Sequence, residues 1–182
     1  MNGAYVRMSE IEVKIIDIDG AKVQQRLVDL GALKVFDGKV ETYFYDFDDR
    51  SITGRGNLLR LRKQGDKVAL TYKSLVPSQK AKVTKEYEVT VSDLGSITHI
   101  LTSLGLNVLH CMKKRRKSYT LNDVRFDFDR YEEPYDYIPE FVEIEAKDID
   151  TIHEYAKLIG FGIEDCKPWS TADLVNHYSK ST

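Results

Sequence analysis

Proline, glycine and cysteine are all scarce in this 182-residue chain, at 4, 11 and 2 residues. Proline and glycine together reach only about 8%, against a typical ~12%, so a linker-rich array or a low-complexity chain is excluded. No apolar run exceeds three residues, where a membrane-crossing helix needs about 20. The N-terminal stretch MNGAYVRMSE has no apolar centre of the signal-peptide kind. A soluble, unexported protein without a membrane partner is expected. Cys111 and Cys166 form no CxxC and suit a reducing compartment, for which the cytoplasm is the simplest choice. His99, His110, His153 and His177 have no zinc-ligand spacing. An excess of one charge is also missing: the formal net charge is −2, which argues against the basic footprint of a nucleic-acid binder.

What is present suits one domain over residues 1–182. Hydrophobic residues make up 42% and charged residues 31%, enough apolar material for a single core. Three segments repeat: Glu10-Ile-Glu-Val-Lys14, Glu86-Tyr-Glu-Val-Thr90 and Glu143-Ile-Glu-Ala-Lys147. Each alternates like a strand and is followed by a helical pattern. Asp19, Asp93 and Asp150 read as the helix N-caps, and Gly31, Gly105 and Gly160 close the helices. Further alternating runs lie at Glu41–Tyr45, Asn57–Lys63, Lys67–Lys73, Val108–Leu121 (as one piece or two) and Val124–Asp129, with a last helix near Ser170–Tyr178. About eight strands joined mainly by hairpins make an antiparallel sheet, and a sheet of that size curls or closes.

Period two puts Ile11, Val13 and Ile15 on one face of the first strand and Glu10, Glu12 and Lys14 on the other. The same split sets Leu59 and Leu61 against Arg60 and Arg62, and Tyr87 and Val89 against Glu86 and Glu88. An amphipathic sheet with one wet face is the plain reading. Three amphipathic helices, however, need the apolar face to cover, which leaves the charged face as the lining of a curled sheet. That face sorts carboxylates (the three ExE pairs and Asp127) from cations (Arg60, Arg62, Lys73, Lys114 and Arg116). Clustered carboxylates suit an oxygen-preferring divalent cation, Mg²⁺ or Mn²⁺. Inward Arg and Lys suit closely spaced phosphates. The pattern therefore points to a metal-dependent triphosphate site. Within the run Lys113 to Lys117, alternation separates Lys114 and Arg116 from their neighbours.

The motif Glu10-Ile-Glu-Val-Lys14 resembles the N-terminal ExExK signature of the CYTH superfamily, the triphosphate tunnel metalloenzymes. Further matches follow in the family's order: Glu41-Thr-Tyr-Phe-Tyr-Asp46, Leu58-Leu-Arg-Leu-Arg62, Leu70-Thr-Tyr-Lys73, Glu86-Tyr-Glu88, Lys114-Arg-Arg-Lys-Ser-Tyr119, Phe126-Asp127 and Phe141-Val-Glu-Ile-Glu145. The resemblance covers nearly the whole chain and is nearest to class IV adenylyl-cyclase-like proteins. It implies an α+β fold: an eight-stranded antiparallel β tunnel, closed as a barrel, with helices packed outside. It further implies Glu10, Glu12, Glu86, Glu88, Asp127, Glu143 and Glu145 as metal carboxylates, and Lys14, Arg60, Arg62, Lys73, Lys114 and Arg116 as phosphate ligands. Lys14 and Tyr43 are the implied catalytic pair. Two departures stand out: Pro168-Trp-Ser-Thr171 near the C-terminal helix, and Glu133-Pro-Tyr-Asp-Tyr-Ile-Pro139 where a glycine turn is usual.

The expected function is a Mg²⁺- or Mn²⁺-dependent enzyme acting on ATP, tripolyphosphate or thiamine triphosphate. With the ribose 3′-hydroxyl as nucleophile it is a cyclase releasing pyrophosphate, and with water it is a triphosphatase. The alternative is a non-catalytic polyphosphate or nucleotide binder. A homodimer is expected.

Overall fold

A computed structural model describes residues 5–7, 11–76 and 83–179. The described residues hold nine strands: β1 (Tyr5–Arg7), β2 (Ile11–Ile15), β3 (Leu33–Asp46), β4 (Leu58–Gln64), β5 (Lys67–Val76), β6 (Val83–Val91), β7 (Asn107–Leu121), β8 (Val124–Tyr131) and β9 (Phe141–Ala146), with the pairs β1–β6, β6–β5, β5–β4, β4–β3, β7–β8, β8–β9 and β9–β2 antiparallel. Four α-helices accompany them: α1 (Gly20–Asp29), α2 (Leu94–Ser103), α3 (Ile149–Leu158) and α4 (Thr171–Ser179).

The repeat seen in the sequence is a repeat in structure. α1, α2 and α3 are each ten residues long. Asp19 caps α1 by accepting from the Lys22 amide, and Asp93 caps α2 through Ser96. In α3 the cap is Asp148, which accepts from Thr151, rather than the expected Asp150 in its first turn. Gly31, Gly105 and Gly160 all take positive φ, at 87°, 88° and 100°, the left-handed conformation that ends a helix at lowest cost on glycine. The next residue then donates back in each case: Ala32 to Leu27, Leu106 to Leu101 and Phe161 to Ala156.

The chain divides into two compact units interleaved in sequence. One comprises Met1–Ser9 and Lys39–Lys113, the other Glu10–Gly38 and Lys114–Thr182. In the first unit the strand order is β1-β6-β5-β4-β3, and α2 covers a core of Tyr45, Leu61, Val68, Leu101 and Leu106. In the second it is β7-β8-β9-β2, with Val13, Ile15, Phe126, Phe128, Val142 and Ile144 packed against Leu27, Ile152 and Ala156 of the helices. β3 and β7 each have residues in both units.

The closed barrel is corrected by the pairing. β1 bonds to β6 and β2 to β9, and β1 and β2 are not paired with each other, so among the described residues the sheet is open. The physical reason is that both come from one short stretch and each directs its backbone groups to a different neighbour. The outer side of β2 is met instead by Lys167, whose backbone exchanges two 2.8 Å hydrogen bonds with Lys14. β3 is also longer than expected, because its first half, Leu33–Gly38, continues the strand through an Asp-Gly pair that reads as a breaker. β7 is one strand, not two.

Asp46, fully buried at the end of β3, organises the loop that follows. Its carboxylate accepts from the amides of Phe47, Ile52 and Thr53 at 2.8–2.9 Å and from the Thr53 hydroxyl at 2.6 Å. Burial would raise its pKa, but these hydrogen bonds outweigh burial and hold it at about 2. Asp46→Ala is expected to lower the unfolding free energy by about 3 kcal/mol, because three backbone donors lose a charged acceptor. Urea denaturation checks this, and a loss under about 1 kcal/mol would mean that the loop does not depend on Asp46.

Candidate functional site

In the second unit the charged face is built by strict alternation. β8 presents Arg125, Asp127 and Asp129, β9 presents Glu143 and Glu145, β2 presents Glu12 and Lys14, and β7 presents Lys114, Arg116 and Ser118. The register places Lys14 opposite Glu143, Glu12 opposite Glu145, and Arg116 opposite Asp129. Arg116 is the centre. Its Nε and Nη2 donate to the two oxygens of Asp129 at 2.7 and 2.5 Å, its Nη1 donates to Asp127 at 2.5 Å, and Glu143 lies 3.7 Å away. Lys114 also reaches Asp129, at 2.5 Å. Lys14, with a side chain only 3% exposed, pairs with Glu143 at 2.7 Å and with Glu12 at 3.4 Å.

These contacts decide the protonation states. Burial works against charge on Lys14, yet Glu143 and Glu12 more than offset it and hold the ammonium above its ordinary range. Glu143 is largely shielded, with 13% of its side chain exposed, and Lys14, Arg116 and Lys114 keep it well below the usual carboxylate range. Asp129 is lowered against burial by Arg116 and Lys114. Lys117, one position along from Arg116, turns to the other face and donates to Gln24 of α1 at 3.3 Å, as alternation predicts.

The first unit repeats the pattern with different strands. Arg60 and Arg62 on β4 share a face with Thr71 and Lys73 on β5 and with Glu86 and Glu88 on β6. Lys73 is ion-paired with Glu86. Glu88 accepts from the Thr71 hydroxyl at 2.9 Å and lies 3.8 Å from Arg62. Burial raises its pKa, but Thr71, Arg62 and Arg60 bring it below the usual value. Arg60 differs from the rest: its Nε is buried and has no hydrogen-bond partner among the described residues.

Tyr43 does not join this face. It stands opposite Leu61, while Thr42 and Phe44 stand opposite Arg62 and Arg60, so it lies on the apolar side and packs against the core. Its hydroxyl donates to Glu41 at 3.1 Å, and burial together with Glu41 pushes its pKa up to about 12. Glu10 lies outside the described residues. Sequence reasoning missed Asp129, although the run Phe126-Asp-Phe-Asp129 carries the same alternation as Asp127. It also missed Ser118 and Arg125, whose polar side chains share the charged face.

Asp127, Asp129 and Glu143 are bound by arginine or lysine, and Glu12 meets Lys14 at 3.4 Å. Glu12 and Glu145 stand directly opposite each other, and the Glu12 side chain is 42% exposed. Two facing carboxylates are an all-oxygen donor set that fits a hard divalent cation. Among the described residues no three Asp, Glu, His or Cys side chains group as a metal cage.

An antiparallel sheet with helices on its apolar side and interleaved cations and carboxylates on the other defines a class of α+β proteins with a charged working face. The chain belongs to the CYTH domain family, whose profile matches residues 8–158. It is 27% identical over 152 residues, 84% of each chain, to a Methanocaldococcus jannaschii protein named as a proposed adenylate cyclase. A solved structure of a Pyrococcus horikoshii protein is 26% identical, with a TM-score of 0.73 over 91% of this chain and 98% of that one. A Vibrio parahaemolyticus structure, described as a proposed adenylate cyclase, shares the fold with a TM-score of 0.74 at 18% identity, over 93% of this chain and 98% of that one. No described helix is long and apolar enough to cross a membrane.

Proposed function

We propose that this chain binds a triphosphate on its charged face and acts on it with Mg²⁺ or Mn²⁺, as an adenylyl cyclase or a triphosphate hydrolase. The observation that carries the reading is the buried Arg60 Nε, which has no acceptor among the described residues. A buried donor left unsatisfied costs about 1–3 kcal/mol, and one placed among Arg62 and Lys73 suits an anion. Family membership and the relative named as a proposed cyclase support the same reading.

In the first unit, Arg60, Arg62 and Lys73 would hold phosphate oxygens. In the second unit, Lys14 is held by Glu143 and Glu12 and is protonated, so it offers positive charge to an anion and does not accept a proton. Arg116, locked by Asp127 and Asp129, keeps Lys14 and Glu143 in place and is a positioning residue. Glu12 and Glu145 would hold the metal, which when bound polarises phosphoryl oxygens and favours the ionised nucleophile. Tyr43, on the opposite face, has no part in this scheme.

Product analysis with ATP and with tripolyphosphate tests the proposal. Turnover is expected to stop in EDTA and return with Mg²⁺ or Mn²⁺. Cyclic AMP with pyrophosphate identifies a cyclase, and ADP or orthophosphate a hydrolase. Arg60→Ala should weaken tripolyphosphate binding by about tenfold to a hundredfold, the range for a charge-assisted hydrogen bond. Tight binding without product would leave only a polyphosphate-binding module, and unchanged binding by the variant would remove Arg60 from the site.

A further inference from the structure

One row of the charged face in the first unit ends on a histidine. Across neighbouring strands Glu88, Thr71, Arg60 and Phe44 stand opposite one another in turn, and the His110 ring of β7 stacks on Phe44 at 4.5 Å and 19°. All five belong to the first unit. Phe44 is the apolar member of a polar row, and it gives the imidazole a flat surface to rest on. His110 is otherwise exposed, and its ring nitrogens have no hydrogen-bond partner among the described residues.

A second cation reaches the same end of the row from the loop after β3. Arg50 takes a left-handed φ of 57°, which is uncommon outside glycine. The loop holds it there: its amide donates to Phe47 at 3.0 Å and its carbonyl accepts from Gly54 at 2.8 Å. Arg50 forms no ion pair among the described residues. Its charge and partial burial together hold the His110 pKa below the usual value, so the imidazole is neutral at pH 7. The carboxylates of that loop are engaged elsewhere, Asp46 within the loop and Asp48 with Asn107 at 2.8 Å. Glu41, Tyr43 and Cys111 lie on the opposite face by alternation.

We propose that Arg50 and His110 extend the Arg60 anion site across Phe44, so that the first unit holds a phosphate chain between two arginines and an imidazole. This rests on the triphosphate reading above and adds two ligands and a dependence on pH. Arg60 and His110 are two strand spacings apart, about 10 Å, which suits a chain of phosphates rather than a single one. A bound anion favours the protonated imidazole, so binding takes up a proton and tightens as pH falls.

The test is calorimetric titration of the full chain with tripolyphosphate in EDTA at pH 8 and pH 5.5. His110→Gln should bind within twofold of wild type at pH 8 and about tenfold more weakly at pH 5.5, the lower end for a charge-assisted hydrogen bond. Protonation of the ligand itself is common to both proteins and cancels in the ratio, and agreement at pH 8 shows that the variant folds. Arg50→Gln should bind up to about fivefold more weakly at pH 8, through loss of an exposed permanent charge. A His110→Gln ratio that is the same at both pH values overturns the role of His110, and unchanged binding by Arg50→Gln overturns that of Arg50. If Arg60→Ala loses affinity in that case, the Arg60 site stands without the extension. A wild type that binds at neither pH removes the extension and the Arg60 site together.

Discussion

Replacing Arg116 with alanine should lower the unfolding free energy by about 3–5 kcal/mol, the cost of breaking a buried ion pair from one side. The side chain is 5% exposed and neutralises Asp127, Asp129 and Glu143, and alanine leaves those carboxylates buried against one another. Arg115→Ala, one residue away on the exposed side and opposite Arg130, should change stability by no more than about 0.5 kcal/mol. The deficit should also depend on pH. Asp129 and Glu143 have folded pKa values below their unfolded ones. Their contribution is therefore complete above about pH 4 and is lost as pH falls through the folded values. Without Arg116 those values rise and the acid loss shrinks. The gap between wild type and variant should narrow from pH 7 to pH 3. Calorimetric unfolding across that range checks it, and a gap that is small or independent of pH would show that Arg116 does not neutralise this cluster.

The second large effect separates two glutamates on adjacent strands. Glu12→Gln should reduce turnover of a triphosphate at least about a hundredfold, an effect of over 2.7 kcal/mol on the barrier, if Glu12 and Glu145 hold the metal. Stability should change by no more than about 1 kcal/mol, because relief of the like charge directly opposite offsets the loss of the 3.4 Å contact with Lys14. Glu143→Gln should do the reverse to stability, since it removes the carboxylate 2.7 Å from buried Lys14 and leaves that charge short of a partner. Parallel measurement of kcat and the thermal midpoint distinguishes them. A Glu12→Gln protein that melts early yet keeps its rate would place Glu12 in the scaffold.

Alternation along single strands made the two faces legible. Lys114 and Arg116 part from Lys117 for that reason, and the Asp caps and closing glycines of α1 and α2 are equally local signals. Pairing between strands was not legible. That Glu143 is neutralised by Lys14 while Glu12 faces Glu145 depends on register across residues more than a hundred positions apart. Tyr43 shows the weakness of a motif match alone: it shares parity with Tyr45 and Leu61, and that parity sends it to the core. The shift from Asp150 to Asp148 is a two-residue error between two aspartates, each able to cap.

The pairing of β2 with β9 has a consequence for biosynthesis. β2 leaves the ribosome long before residues 141–146, with which its backbone pairs, and α1 and α2 emerge between the two. Val13 and Ile15, which end up almost completely shielded, are in the meantime adhesive sequence without a partner. Long-range closure of this kind is slow and leaves sticky intermediates. A chain stopped before β9 should therefore bind chaperones or aggregate, and β9 acts as the commit step of folding as well as a carrier of the site.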